Sequence, residues 1–134
     1  MRDVEVSRFV RATPSEIGRA LTPAAVVEYE GSFAVRDVAE RDGETYVTVG
    51  SRGLEFLLRF DRREDGIYYE QEGEAGPFEA MTTEVTVRSE NDGSRVTARS
   101  SVSLGLPVPL ADRVAAWKRR GELKRALSNL AESV

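Results

Sequence analysis

Four consecutive residues, Tyr68, Tyr69, Glu70 and Gln71, place two phenols, a carboxylate and an amide in one short stretch. Such groups can hydrogen-bond a carbonyl or hydroxyl, and a Tyr or Glu can act as acid or base once burial has moved its pKa. On a strand, alternation sends Tyr69 and Gln71 to one face and Tyr68 and Glu70 to the other. With Ile67 pointing inward, Tyr69 and Gln71 face the interior, where each needs a partner. Backbone or water meets that need as well as a ligand does. Thr83 and Ser100 are weaker instances of the same pattern.

Two charged groups stand apart from this stretch. Glu70, Glu72, Glu74 and Glu79 crowd the connection over 73–77 but lack the Asp/Gly spacing of a calcium loop. They read as a solvated acidic loop, and no metal or other cofactor is assigned. Lys118, Arg119, Arg120, Lys124 and Arg125 form one basic block that spans more than one helix face. No interleaved aromatic set accompanies it, so it reads as a solvated surface and not as a nucleic-acid site.

The residues that are missing exclude much chemistry. With no His and no Cys, the chain cannot build a Ser-His-Asp triad, a zinc hydrolase centre, a two-His iron site, a thiolate nucleophile or a disulfide. A net charge of −4 argues against a general nucleic-acid binder. No stretch approaches the ~18 apolar residues needed to cross a bilayer, and the start, with Arg2, Asp3 and Glu5, is charged. The expectation is a cytoplasmic protein without stable membrane insertion. At 134 residues and without internal repeats, it is expected to form one domain over 1–134.

The elements that position these residues are legible from patterning. Val4, Val6 and Val10 mark a first strand over about 3–11. Thr13, Pro14, Ser15 and Glu16 then open a helix as a capping box with Pro in its first turn, and Ile17, Ala20 and Leu21 supply an apolar face. Thr22-Pro23 repeats the start signal for a second short helix through Val26 and Val27, ended by Gly31. Strands follow over about 32–41, with a slip in alternation that predicts a bulge, and over 44–49, 54–60, 67–71, 81–87 and 96–104. Asp42-Gly43, Asp65-Gly66 and Asp92-Gly93 predict hairpin turns between them. Pro107 and Pro109 end the strands and start a helix of about 24 residues, with Leu110, Val114, Trp117, Leu123, Leu127 and Leu130 on its apolar face and a slip near Gly121.

Seven strands at ~4.8 Å make a sheet roughly 30 Å wide, whereas one helix is about 10–12 Å across. The sheet must curl around that helix, and side chains need not fill the space between them. The interior gap is a natural ligand site.

This order of parts resembles the START-like, or Bet v 1-like, helix-grip superfamily (SRPBCC), especially its polyketide cyclase/dehydrase and lipid-transport branch. The run from Val10 through Ala12, Thr13, Pro14, Ser15, Glu16 and Ile17 to Leu21-Thr22 is similar to the family's strand-to-helix signature. The stretch from Leu123 to Leu130 is similar to its closing helix. Gly18 stands where relatives often have an aromatic residue, and Tyr29 is the only aromatic near the position of a usual Trp. The resemblance implies an α+β helix-grip fold: a curved seven-stranded antiparallel sheet wrapped around a long C-terminal helix, with two short helices after strand 1. It implies a pocket rather than a reaction.

The expected occupant is a small hydrophobic molecule such as a lipid, isoprenoid or polyketide-like compound. Phe56, Leu58, Phe60, Tyr69, Gln71, Thr83, Ser100, Val114 and Trp117 are the expected contacts, with Leu54 in the same apolar row. Alternation identifies burial, and ordinary core packing explains each apolar residue equally well. Two other readings stay open. One is a cyclase or dehydratase using Tyr69 or Glu70 as acid/base, and the other is a module that docks a protein partner through its sheet or basic helix.

Overall fold

The computed structural model describes residues 1–108 and 110–134, so Pro109, read as part of the helix-start signal, lies outside the described residues. Strand β1 (Arg2–Val10) leads into α1 (Pro14–Ala20) and α2 (Pro23–Glu30). Thr13 caps α1 in a full capping box with Glu16, Thr22 caps α2 through the Ala25 amide, and Gly31 closes α2 at φ 76°. Then follow β2 (Ala34–Arg41), β3 (Glu44–Ser51), β4 (Leu54–Arg63), β5 (Gly66–Glu72), β6 (Ala80–Glu90), β7 (Gly93–Ser103) and α3 (Ala111–Ser133). The bulge expected in β2 falls between Val35 and Asp37.

The strands form one antiparallel sheet in the order β1-β7-β6-β5-β4-β3-β2. Of the Asp-Gly pairs, Asp42-Gly43 makes its hairpin with both residues at positive φ, 54° and 81°. Arg52-Gly53 makes another, at 49° and 83°, that the Asp-Gly pattern does not mark. Gly66 and Gly93 are instead the first residues of β5 and β7, where the constraint is space. A Cβ on Gly66 would lie 1.8 Å from the Val85 carbonyl oxygen, and one on Gly93 would lie 2.4 Å from that of Val10.

Alternation turns Phe56, Leu58 and Phe60 of β4, Ile67 and Tyr69 of β5, and Met81, Val85 and Val87 of β6 onto the concave face. Helix α3 lies over β1 and β7 and against α2, so the sheet's β4–β5 side has less helix above it. The buried face of α3 runs through Ala116, Arg119, Leu123, Leu127 and Leu130 at intervals of three or four, without a slip at Gly121. This corrects the expected face. Trp117, two residues before Arg119, is rotated about 200° from it around the axis and is 77% exposed. Val114 is 60% exposed.

Candidate functional site

Strand register builds one polar row across the concave face. Tyr69 of β5 pairs with Thr83 of β6, and Thr83 pairs with Ser100 of β7, so the three inward polar residues stand side by side. Arg119 comes down onto this row from α3. Its Nε donates to Ser100 Oγ at 3.2 Å, and its Nη2 donates to Tyr69 Oη at 2.9 Å and to Thr83 Oγ1 at 2.8 Å. Its Nη1 donates to Glu30 Oε1 at 2.5 Å and to Glu122 Oε1 at 3.2 Å. Arg119 is 2% exposed, yet all five of its N–H groups have partners.

The carboxylates are fixed in their turn. Tyr69 donates its hydroxyl to Glu30, and Ser32 donates its own to Glu122. Glu30 is the last residue of α2, and that helix end is tied to α3 by Arg125 Nε donating to the Glu30 carbonyl at 2.6 Å and Asn129 Nδ2 donating to that of Tyr29 at 2.9 Å. Burial works to lower the pKa of Arg119, but Glu30, Tyr69 and Glu122 hold it well above the ordinary guanidinium value. Burial, with help from Glu30, drives the Tyr69 phenol far above its ordinary value against the opposing pull of Arg119. The cluster is a permanently charged guanidinium set between two carboxylates, with a neutral phenol beside them.

Against this cluster lies a cavity of about 240 Å³. Phe56 and Leu58 of β4, Met81 of β6, Phe33, Phe78 and Leu104 form most of its apolar wall, with Val114 and Ala115 from α3. Its polar wall is Glu30, Arg119 and Glu122, and Lys118 stands at the exposed rim. Phe33 meets Phe56 edge-on, with centroids 4.9 Å apart.

The expected contacts separate into groups. Phe56, Leu58 and Val114 line the cavity. Tyr69, Thr83 and Ser100 stand behind it as partners of Arg119, and Phe60 stacks on the Tyr69 ring at 4.6 Å. Gln71 points inward but clamps a loop. Its Nε2 donates to the Phe78 carbonyl at 2.6 Å and its Oε1 accepts from the Phe78 amide at 3.3 Å, which holds Phe78 at the cavity wall. Trp117 is not in the wall, because it lies on the outer side of α3. Glu70 faces the opposite side of the sheet, paired with Arg59.

Arg119, Glu30 and Glu122 are the residues that sequence patterning missed. Patterning places Arg119 in a solvated basic block, whereas it is among the most deeply buried side chains. One signal was present. Arg119 lies four residues from both Ala115 and Leu123, and three inward polar residues on neighbouring strands each required a partner.

No sequence-family model matches the chain, and no curated protein does. Its fold matches solved structures throughout its length. TTHA0849 from Thermus thermophilus aligns with a TM-score of 0.77 at 17% identity, over 98% of this chain and 95% of that one. A START superfamily protein from Mycobacterium smegmatis gives 0.74 at 15% identity, over 98% and 97% of the two chains. Ara h 8.0201 gives 0.62 at 14% identity, over 98% of each. The chain therefore has the helix-grip fold of the START-like and Bet v 1-like proteins.

Proposed function

We propose that the protein binds a small, mostly apolar organic molecule in the cavity between β4, β6 and the first half of α3. The observation that carries this reading is the contrast between an aromatic and aliphatic wall and one ordered polar wall at the same opening. Apolar surface supplies affinity at about 25 cal/mol per Å² before the costs of binding, and a few fixed polar groups orient the guest. A volume of about 240 Å³ suits a compact ring system or short chain rather than a whole diacyl lipid. Binding is favoured over turnover because Tyr69 is locked behind Arg119 and Glu70 is on the far face of the sheet.

Propylbenzene titrated into the protein tests the reading, followed by calorimetry and by amide chemical shifts. Saturable binding with shifts centred on Phe56, Leu58 and Ala115 is expected. Ala115→Phe, which puts a ring into the space beside α3, should abolish that binding while the protein stays folded. Absence of binding to the unaltered protein, or undiminished binding to the plugged variant, would remove the proposal.

A further inference from the structure

We infer that the cavity selects an apolar molecule bearing a protonated amine and discriminates against the matching carboxylic acid. The inference rests on the binding reading above and adds the polarity of the ligand's head group.

The hydrogen-bond inventory of the polar wall decides the sign. A guanidinium has five N–H donors, and those of Arg119 go to Ser100, Glu30, Glu122, Tyr69 and Thr83. The Tyr69 hydroxyl donates to Glu30 and the Ser32 hydroxyl to Glu122. Ser100 donates to the Thr82 carbonyl at 2.8 Å, and Thr83 Oγ1 lies 2.9 Å from Ser100 Oγ and 3.1 Å from Met81 Sδ. Every donor of the buried wall is committed.

Its acceptors are not. A carboxylate offers about four lone-pair sites. Glu122 takes one bond from Arg119 and one from Ser32, which leaves about two open. Glu30 takes bonds from Arg119 Nη1 and Tyr69 and a longer one of 3.4 Å from Arg119 Nη2, which leaves about one. Both carboxylates line the cavity. The buried wall can therefore receive a ligand head group only as a donor.

Charge points the same way. Among the buried groups one guanidinium faces two carboxylates, so a guest cation completes their balance, while a guest carboxylate adds a third negative group beside N–H donors that are already taken. Phe33, Phe56 and Phe78 surround the same space, and aromatic faces attract an ammonium. Lys118 is the opposing influence. It stands at the exposed rim in water, where an ion pair with a guest acid is worth little.

Four probes of similar size separate the possibilities: 2-phenylethylamine, 2-phenylethanol, propylbenzene and phenylacetate, each titrated calorimetrically at pH 7. The amine should bind at least tenfold more tightly than propylbenzene and phenylacetate most weakly, with the alcohol between the amine and propylbenzene. In Glu122→Gln, and separately in Glu30→Gln, the ratio of amine to propylbenzene affinity should fall severalfold. That ratio is internal to each variant and is read only where propylbenzene still binds. Phenylacetate binding as tightly as the amine, or an amine no better than propylbenzene in the unaltered protein, would overturn the inference and leave the cavity reading standing. Failure of all four probes would instead remove the binding reading beneath it.

Discussion

The two ends of α3 do opposite jobs with one continuous buried face. Towards its C-terminus, Leu123, Leu127 and Leu130 pack against Leu21 and Val26 from the short helices and Val85 and Ala98 from the sheet, and the residual void is about 20 Å³. Towards its N-terminus the corresponding positions are Ala115 and Ala116, the short helices reach it only through Glu30 at the end of α2, and about 240 Å³ stays open. Arg119 and its partners divide the two. Close packing is thus a property of where the short helices reach and how large the facing side chains are, not of the fold as a whole. The cavity is the part of the grip where small residues meet loops.

The divide is the most sensitive point. Arg119→Met removes a buried guanidinium and leaves Glu30 and Glu122 facing each other, with Tyr69, Thr83 and Ser100 short of a donor. A loss of about 3–5 kcal/mol in urea unfolding is expected, as for other broken buried pairs. A loss below about 1 kcal/mol, on the scale of a surface pair, would mean that Arg119 is not the partition.

The next effect compares the ends directly. Leu127→Ala, in the filled end, should cost about 3 kcal/mol, because both transfer energy and a new void count against it. Leu58→Ala, which only widens an existing opening, should cost about 2 kcal/mol by the same unfolding measurement. Equal losses would erase the distinction.

A smaller effect lies on the pH axis. The folded-state pKa of Tyr69 is raised from 10.0, so its contribution is fully present below about pH 10 and is lost as pH rises above it. In that range the unfolded chain ionises the phenol and the native protein does not. Between pH 9 and 11 stability should fall by about 1.4 kcal/mol in total beyond the fall seen in Tyr69→Phe, measured as urea midpoints.

The smallest effect belongs to the outer face of α3. Trp117→Ala should change stability by no more than about 0.5 kcal/mol, and Trp117 fluorescence should stay constant as propylbenzene binds. Quenching on binding would place Trp117 nearer the cavity than its exposure allows.

The elements were legible where the signal was local. The capping box at Thr13, the Thr22-Pro23 start, the Gly31 stop and the β2 bulge each depend on residues a few positions apart, and each appears where the pattern puts it. Inward alternation in β4 and β5 correctly turned Phe56, Leu58, Phe60, Tyr69 and Gln71 to the interior. The site was legible only in part, because interior and cavity wall are different places. Phe60 and Tyr69 fill, Gln71 clamps a loop, and only Phe56, Leu58 and Val114 of the expected contacts line the opening. On α3, choosing large apolar residues favoured Trp117 over Arg119, although helical rotation places them on opposite sides.

Sequence by itself determined the order of elements, the caps and turns, the inward stripe of each strand and the exclusion of His- and Cys-based chemistry. Those features are set by neighbours along the chain, through dihedral preference and hydrophobic period. Only the tertiary structure decided that Arg119 is buried and which acceptors stay open to the cavity. The bonds that settle this join α2, three strands and α3, with Arg119 and Glu30 separated by 89 positions. A basic residue enters an interior only when partners from distant segments arrive together, and no local pattern records that meeting.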